Sequence, residues 1–303
     1  MTAIRTVLLA GVALAGIAAP TFAQEIDVIR VGLLGGENEA DRLANNQCLI
    51  DLMPAALGVK EVKLFPAADY DGVIQGLLGG TLDVAGLGAS GYAKIYLADP
   101  EAVIPFNTTV QTDGSMGYHS ILLSRKDSGI ATLADAKGKT LGYADPDSTS
   151  GYLIPLVTMP QETGMPNDQY FSATSFNGGH ENNVLALLDH KVDVAVTWTS
   201  GVGEFAEGYT SGNTRSMVDK GMLDMEDVNQ LWLSPLIPNG PNVMSSKLPK
   251  EMQDKIVAFY NDLPVSHPDC FSAIERGDFK GYAPVTPEFY QPIIDARKAT
   301  IGG

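Results

Sequence analysis

The chain predicts an α/β fold in two lobes, with a ligand cleft between them. Three observations carry that expectation: strand and helix patterns alternate, one stretch recurs in register, and two segments read as crossings between the halves. Residues 26–34 read as a buried strand and 39–57 as an amphipathic helix. Residues 60–65 follow as a strand, 71–78 as a helix and 82–87 as a strand. Such alternation implies parallel sheets with helices on both faces. The recurrence appears when Tyr70–Gly91 is set against His180–Gly201, a shift of 110 residues. Seven of the 22 pairs are identical, among them Leu77/Leu187, Asp83/Asp193 and Ser90/Ser200. Ordinary composition would give roughly one or two. Each copy reads as helix, turn, buried strand, then Ser-Gly opening another helix. Residues 118–124 read as a strand crossing into the second half. Residues 231–237 read back, and Pro238-Asn239-Gly240-Pro241 follows as a turn. The first lobe is therefore expected to be discontinuous. A last helix over 287–301, with no long extension after it, favours a monomer.

The N-terminus reads as a secretory leader. Arg5 is the only charge before Glu25, and the apolar run 7–19 is too short to span a bilayer. Pro20-Thr21-Phe22-Ala23 supplies a small-residue cleavage site after Ala23. An exported protein of the bacterial periplasm is expected. The formal charge of −16 argues against nucleic acid or an anionic membrane as partner. Any anion must be captured by local geometry against that field. The two cysteines, Cys48 and Cys270, either pair in an oxidising compartment or stay as buried thiols. The residues leave both open, and neither has metal-ligand spacing.

The stretch with most chemistry is Asp145-Pro146-Asp147-Ser148-Thr149-Ser150-Gly151-Tyr152. It follows a predicted strand over 139–143 and opens a predicted helix. Ser148, Thr149 and Ser150 place hydroxyls beside unpaired backbone N–H groups at the positive end of a helix dipole. That combination suits a tetrahedral oxyanion. The recurrence puts Tyr70 and His180 at the starts of equivalent helices. It puts Ser90 and Ser200 just beyond the carboxyl ends of equivalent strands, where ligands sit in open α/β sheets. Gly35-Gly36-Glu37-Asn38 reads as a tight turn presenting Glu37 to the cleft. Catalytic patterns fail one by one. Gly138-Lys139-Thr140 lacks the earlier glycine of a phosphate-binding loop, Leu133 standing there. His180-Glu181 lacks the second histidine of a zinc-protease helix, where Val184 stands. No serine sits in a Gly-x-Ser-x-Gly elbow. His119, His190 and His267 are scattered. A binding protein without catalytic residues, metal or cofactor is expected.

Five segments then occur in a family order: Ala67 to Gly76, Asp113 to Tyr118, Asp145 to Leu153, Gly179 to Asn182, and Ser234 to Pro238. Together they resemble the periplasmic phosphonate-binding proteins of ABC transporters, the PhnD type, over nearly all of the mature chain. The resemblance implies the type II periplasmic-binding-protein fold, closing by hinge motion on a ligand in the interlobe cleft. It implies that Ser148, Thr149 and Ser150 hold the oxygens of a small phosphonate or phosphate-like anion, that Tyr70 and His180 reach the same head group, and that the closed complex goes to ABC permease subunits. The leader signal and the two crossings set the expected bounds: 1–23 for the leader, 24–120 plus 233–303 for the first lobe and 121–232 for the second. The chain departs from the family at the tail. Relatives that hold an aminoethyl phosphonate use two carboxylates where Ser200 and Asn239-Gly240 stand here, and a tyrosine where Leu87 stands. An unpaired buried ammonium is costly. Either Glu37 or Glu39 substitutes, or the ligand carries no amine, as in methylphosphonate, phosphite or phosphate. Sulfonate, sulfate or an organic nutrient on the same fold is the alternative, and a secreted enzyme acting on phosphorylated compounds the remoter one.

Overall fold

The computed structural model describes residues 26–301, so the leader expected at 1–23 lies outside the described residues. The first half runs β1 (Val28–Leu33), α1 (Glu39–Leu57), β2 (Glu61–Pro66), α2 (Tyr70–Leu78), β3 (Val84–Gly86), α3 (Ala89–Ala98) and β4 (Val103–Gln111). The chain then passes to β5 (Gly117–Arg125), β6 (Thr140–Tyr143), α4 (Ile154–Thr163), α5 (Asn167–Tyr170), β7 (Ala173–Phe176), α6 (His180–Leu188), β8 (Val194–Thr199), α7 (Asn213–Asp219), β9 (Val228–Leu233) and β10 (Ile237–Pro238). It returns through β11 (Pro241–Ser245), α8 (Lys250–Ser266), α9 (Pro268–Glu275), β12 (Phe279–Pro284) and α10 (Gln291–Ile301).

These strands make two six-stranded sheets. One has the order β12-β4-β11-β3-β1-β2; the other has β10-β5-β8-β6-β7, with β9 also paired to β5. The sheet changes twice, between Gln111 and Gly117 and again between Pro238 and Pro241. The central strands β5 and β11 are buried almost throughout, as expected of strands covered on both faces.

The recurrence is structural. Val31 pairs with Val84, and 110 residues further on Leu141 pairs with Val194, both in parallel. Arg30 lies opposite Lys63, and Thr140 opposite Ala173. Each copy has the same buttress: the carboxylate of Asp83 accepts the Arg30 N–H, and that of Asp193 accepts the Thr140 N–H, both at 2.8 Å. The helix expected to open at Ser200-Gly201 is absent. Gly201 takes a φ of +69°, outside the helical region, and the Ser200 hydroxyl closes a local turn by accepting the Val202 N–H at 3.2 Å. The next helix, α7, begins only at Asn213. The strand expected over 231–237 is two strands, β9 and β10, because Pro235 lacks the N–H that a continuous ladder needs. The last helix starts at Gln291, after a 3-10 turn at Pro287–Tyr290.

Cys48 and Cys270 are joined in a disulfide. It ties α1 to α9 across 222 residues of chain. Of the two possibilities left by the sequence, the structure takes the pair.

Candidate functional site

The carboxyl ends of both sheets open onto one cavity of about 240 Å³ between the lobes. From the second lobe, Ser148, Thr149, Ser150 and His180 line it, joined by Tyr118 and Trp198. From the first come the 33–37 loop, Tyr70, Leu87-Gly88 and residues 239–242.

Ser148 caps the turn that leads into α4, its hydroxyl accepting the Gly151 N–H at 3.0 Å. The same oxygen lies 3.1 Å from Nε2 of His180. His180 starts α6, and its Nδ1 lies 3.4 Å from the Thr197 hydroxyl, which accepts from Asn213 at 2.9 Å. Burial alone pulls the His180 pKa down to about 3, so the ring is neutral. Tyr70, at the start of α2, faces Ser148; burial first, and then the charge of Asp145, raise its pKa, so it stays a neutral phenol and a donor. Burial likewise raises Tyr118, against the pull of the facing Ser150 and Thr149 hydroxyls. The corner thus holds five hydroxyl side chains, Ser148, Thr149, Ser150, Tyr70 and Tyr118, and a neutral imidazole.

The lobes touch here. The Thr149 hydroxyl accepts the Ser90 N–H at 2.8 Å across the cleft. Gly36 packs on Gly179, where a β-carbon on Gly36 would come within 2.7 Å of the Gly179 α-carbon. Behind the corner, the buried Asp147 of the second lobe meets Arg297 and Lys94 of the first, with Lys94 at 2.7 Å. Near the other margin Lys220 bridges Glu181 at 2.7 Å and Asp41 of the first lobe at 3.0 Å. This is a closed arrangement.

Of the residues expected at the site, Tyr70, Ser148, Thr149, Ser150, His180 and Glu37 all line the cavity. Ser90 and Ser200 do not, and their expected place on the cleft walls is corrected. The Ser90 side chain turns to Arg297 Nη1 at 2.7 Å, and that of Ser200 to Thr210 at 3.0 Å. Glu37 lines the wall but is ion-paired with Arg276. Gly240 holds no side chain for a simple reason: a β-carbon would sit 1.9 Å from the Leu87 carbonyl oxygen.

Sequence reasoning missed Arg276, Glu275, Arg42 and Asn242 on the wall. Burial lowers Arg276 to about 10 and raises Glu275 to about 7, the latter against a hydrogen bond from Tyr282. Both come from the end of α9, 239 residues separating Arg276 from Glu37 in the β1 loop, and nothing local in the sequence marks them. Tyr118 did lie inside one of the five segments, as the start of a strand. Among the described residues no group of three His, Cys, Asp or Glu stands together to hold a metal ion.

The sequence profile of the family described as "ABC transporter, phosphonate, periplasmic substrate-binding protein" matches residues 31–290. The Phosphonates-binding periplasmic protein of Escherichia coli (strain K12) is 32% identical over 247 residues, which cover 80% of this chain and 68% of that protein. The Phosphate-import protein PhnD of Mycolicibacterium smegmatis is 27% identical over 241 residues, 77% and 71% of the two chains. Among solved structures, the binding protein component of an ABC phosphonate transporter from Pseudomonas aeruginosa superposes with a TM-score of 0.76 at 27% identity, over 91% of this chain and 88% of that one. The two-sheet architecture is that of the type II periplasmic binding proteins.

Proposed function

The chain belongs to the periplasmic substrate-binding proteins of ABC phosphonate transporters, and from that membership we propose that it captures a phosphonate head group between Ser148, Thr149, Ser150, Tyr70 and His180. The observation that carries this reading is the corner itself: hydroxyls at a helix start, facing a phenol and a neutral imidazole from both lobes, inside a small cavity between the lobes. An oxyanion there is held by dipoles and charge-assisted hydrogen bonds rather than by a counter-ion. The imidazole hydrogen belongs on Nε2. Ser148 Oγ then receives N–H groups from both Gly151 and His180. Its own O–H is left to donate to the ligand. Donors from both lobes converge on one anion, so the ligand favours the closed form.

The protein is exported after removal of residues 1–23, acts as a monomer in the periplasm and delivers the closed complex to ABC permease subunits. It carries out no covalent chemistry on its cargo.

Calorimetric titration of the refolded, ligand-free mature protein tests the reading. Methylphosphonate or 2-aminoethylphosphonate binds, and Ser148→Ala/Thr149→Ala/Ser150→Ala together weakens it by more than about a hundredfold, since each hydrogen bond to a charged group is worth about 1.5–3 kcal/mol. Unchanged affinity in the triple variant overturns the assignment. Phosphate, phosphite and sulfate in the same panel identify the cargo if phosphonates fail.

A further inference from the structure

The cavity does not end at the head-group corner. Its wall continues along α1 and the end of α9, through Glu37, Arg42, Asn46 and Arg276. Glu37 is close to the corner: its neighbour Gly36 packs on Gly179, and Gly179 precedes His180. One oxygen of Glu37 is paired with Arg276. The other, Oε2, is buried with no hydrogen-bond partner. On the same wall Nε of Arg42 is buried without a partner, while its Nη1 donates to the carbonyls of Leu33, Leu34 and Ala67. An orphaned acceptor that is anionic and an orphaned donor that is cationic therefore stand in one cavity. Unsatisfied buried groups of this kind cost stability and are kept where a partner completes them.

Two features hold the wall in place. Arg276 adopts φ +59°, a left-handed conformation unusual for a side chain of this size, and Gly277 after it bridges to Ser211 of the second lobe. The Cys48–Cys270 disulfide fixes α9 on α1. The remaining charge, Glu275, is engaged by Tyr282.

Resting on the phosphonate reading above, we propose that this wall is a tail subsite for an amino-acid phosphonate, whose ammonium is accepted by Glu37 Oε2 and whose carboxylate is held by Arg42 Nε and Arg276. The charges argue for that pairing. The Glu37–Arg276 pair is neutral as a unit, so a tail bearing only an ammonium competes with Arg276 for Glu37. A tail bearing only a carboxylate leaves Glu37 uncompensated. A zwitterionic tail completes both orphans at once. The subsite is built from other positions than Ser200 and Gly240, which carry no carboxylate here.

The test is titration with four probes: methylphosphonate, 2-aminoethylphosphonate, 3-phosphonopropionate and 2-amino-3-phosphonopropionate. The last binds most tightly, by about tenfold or more over each probe with a single tail charge, the size expected for one added charged hydrogen bond. Glu37→Gln narrows its preference over methylphosphonate by about tenfold or more. Arg276→Gln does the same, and serves if the first variant folds poorly. Equal affinity for all four probes, or a preference untouched in both variants, overturns the tail subsite while the head-group reading stands. Silence with all four probes overturns the phosphonate reading and the tail subsite with it.

Discussion

Acid should destabilise this protein through one side chain in a measurable way. His180 lies in the cavity wall, and burial alone holds its pKa at about 3 against an ordinary 6.5. The folded-state value is the lower one. Between the two values the unfolded chain binds a proton at this site and the folded chain does not. Stability from this group is therefore complete above pH 6.5 and is lost as pH falls towards 3. Each unit crossed removes about 1.4 kcal/mol, so about 3 kcal/mol has gone by pH 4. His180→Asn removes the titration and keeps a polar group beside Ser148 and Thr197. Urea unfolding of both proteins from pH 7 to pH 4 is the assay, because the carboxylates they share cancel in the difference. The parent should lose about 3 kcal/mol more than the variant over that range. Parallel curves would refute the reasoning, as would an imidazole resonance titrating near pH 6.5. The outcome bears on function, since a neutral ring brings no positive charge to the anion and acts by orienting the Ser148 hydroxyl.

The other predictions concern closure and the frame around the site. Gly36→Ala places a β-carbon against Gly179 at a φ of +101°, so the lobes should fail to meet. Ligand affinity should fall by about tenfold or more, a cost of at least about 1.4 kcal/mol, while scattering shows the variant more open. Arg297→Met leaves the buried Asp147 with Lys94 alone and strips the Ser90 hydroxyl of its partner. Removing one side of a buried ion pair costs about 3–5 kcal/mol, and the retained Lys94 should keep the measured loss near the lower end. Cys48→Ser/Cys270→Ser should cost about 2–5 kcal/mol in chemical unfolding, because the bridge closes a very long loop. The same variant should weaken binding of 2-amino-3-phosphonopropionate more than that of methylphosphonate, since α9 carries Arg276.

Much of this protein is legible in its sequence because its signals are local or repeated. The β1–α1–β2 pattern needs only apolar runs and a helical period, and α1 occupies the expected residues 39–57. The 110-residue shift carries more, because identical residues such as Asp83 and Asp193 hold identical buttresses. Ser148, Tyr70 and His180 were reachable because a helix start and a strand end fix where side chains converge. The repeat misled only where packing overrides pattern. Ser90 and Ser200 match in sequence, yet Arg297 claims one hydroxyl and a local turn takes the other.

Tertiary structure alone decided the far wall of the cavity. Glu37 meets Arg276, and Cys48 meets Cys270, only because the chain leaves the first sheet after β4 and returns to it at β11. Contacts that distant in sequence leave no periodicity and no motif. Which charges remain unpaired after such a return is set by three-dimensional packing, and the orphaned oxygen of Glu37 exists only there. Two lobes, a cleft and a corner of hydroxyls were readable from the residues, because hydrogen-bond geometry at helix starts is a local property; the chemistry along the rest of the cavity was left to the fold.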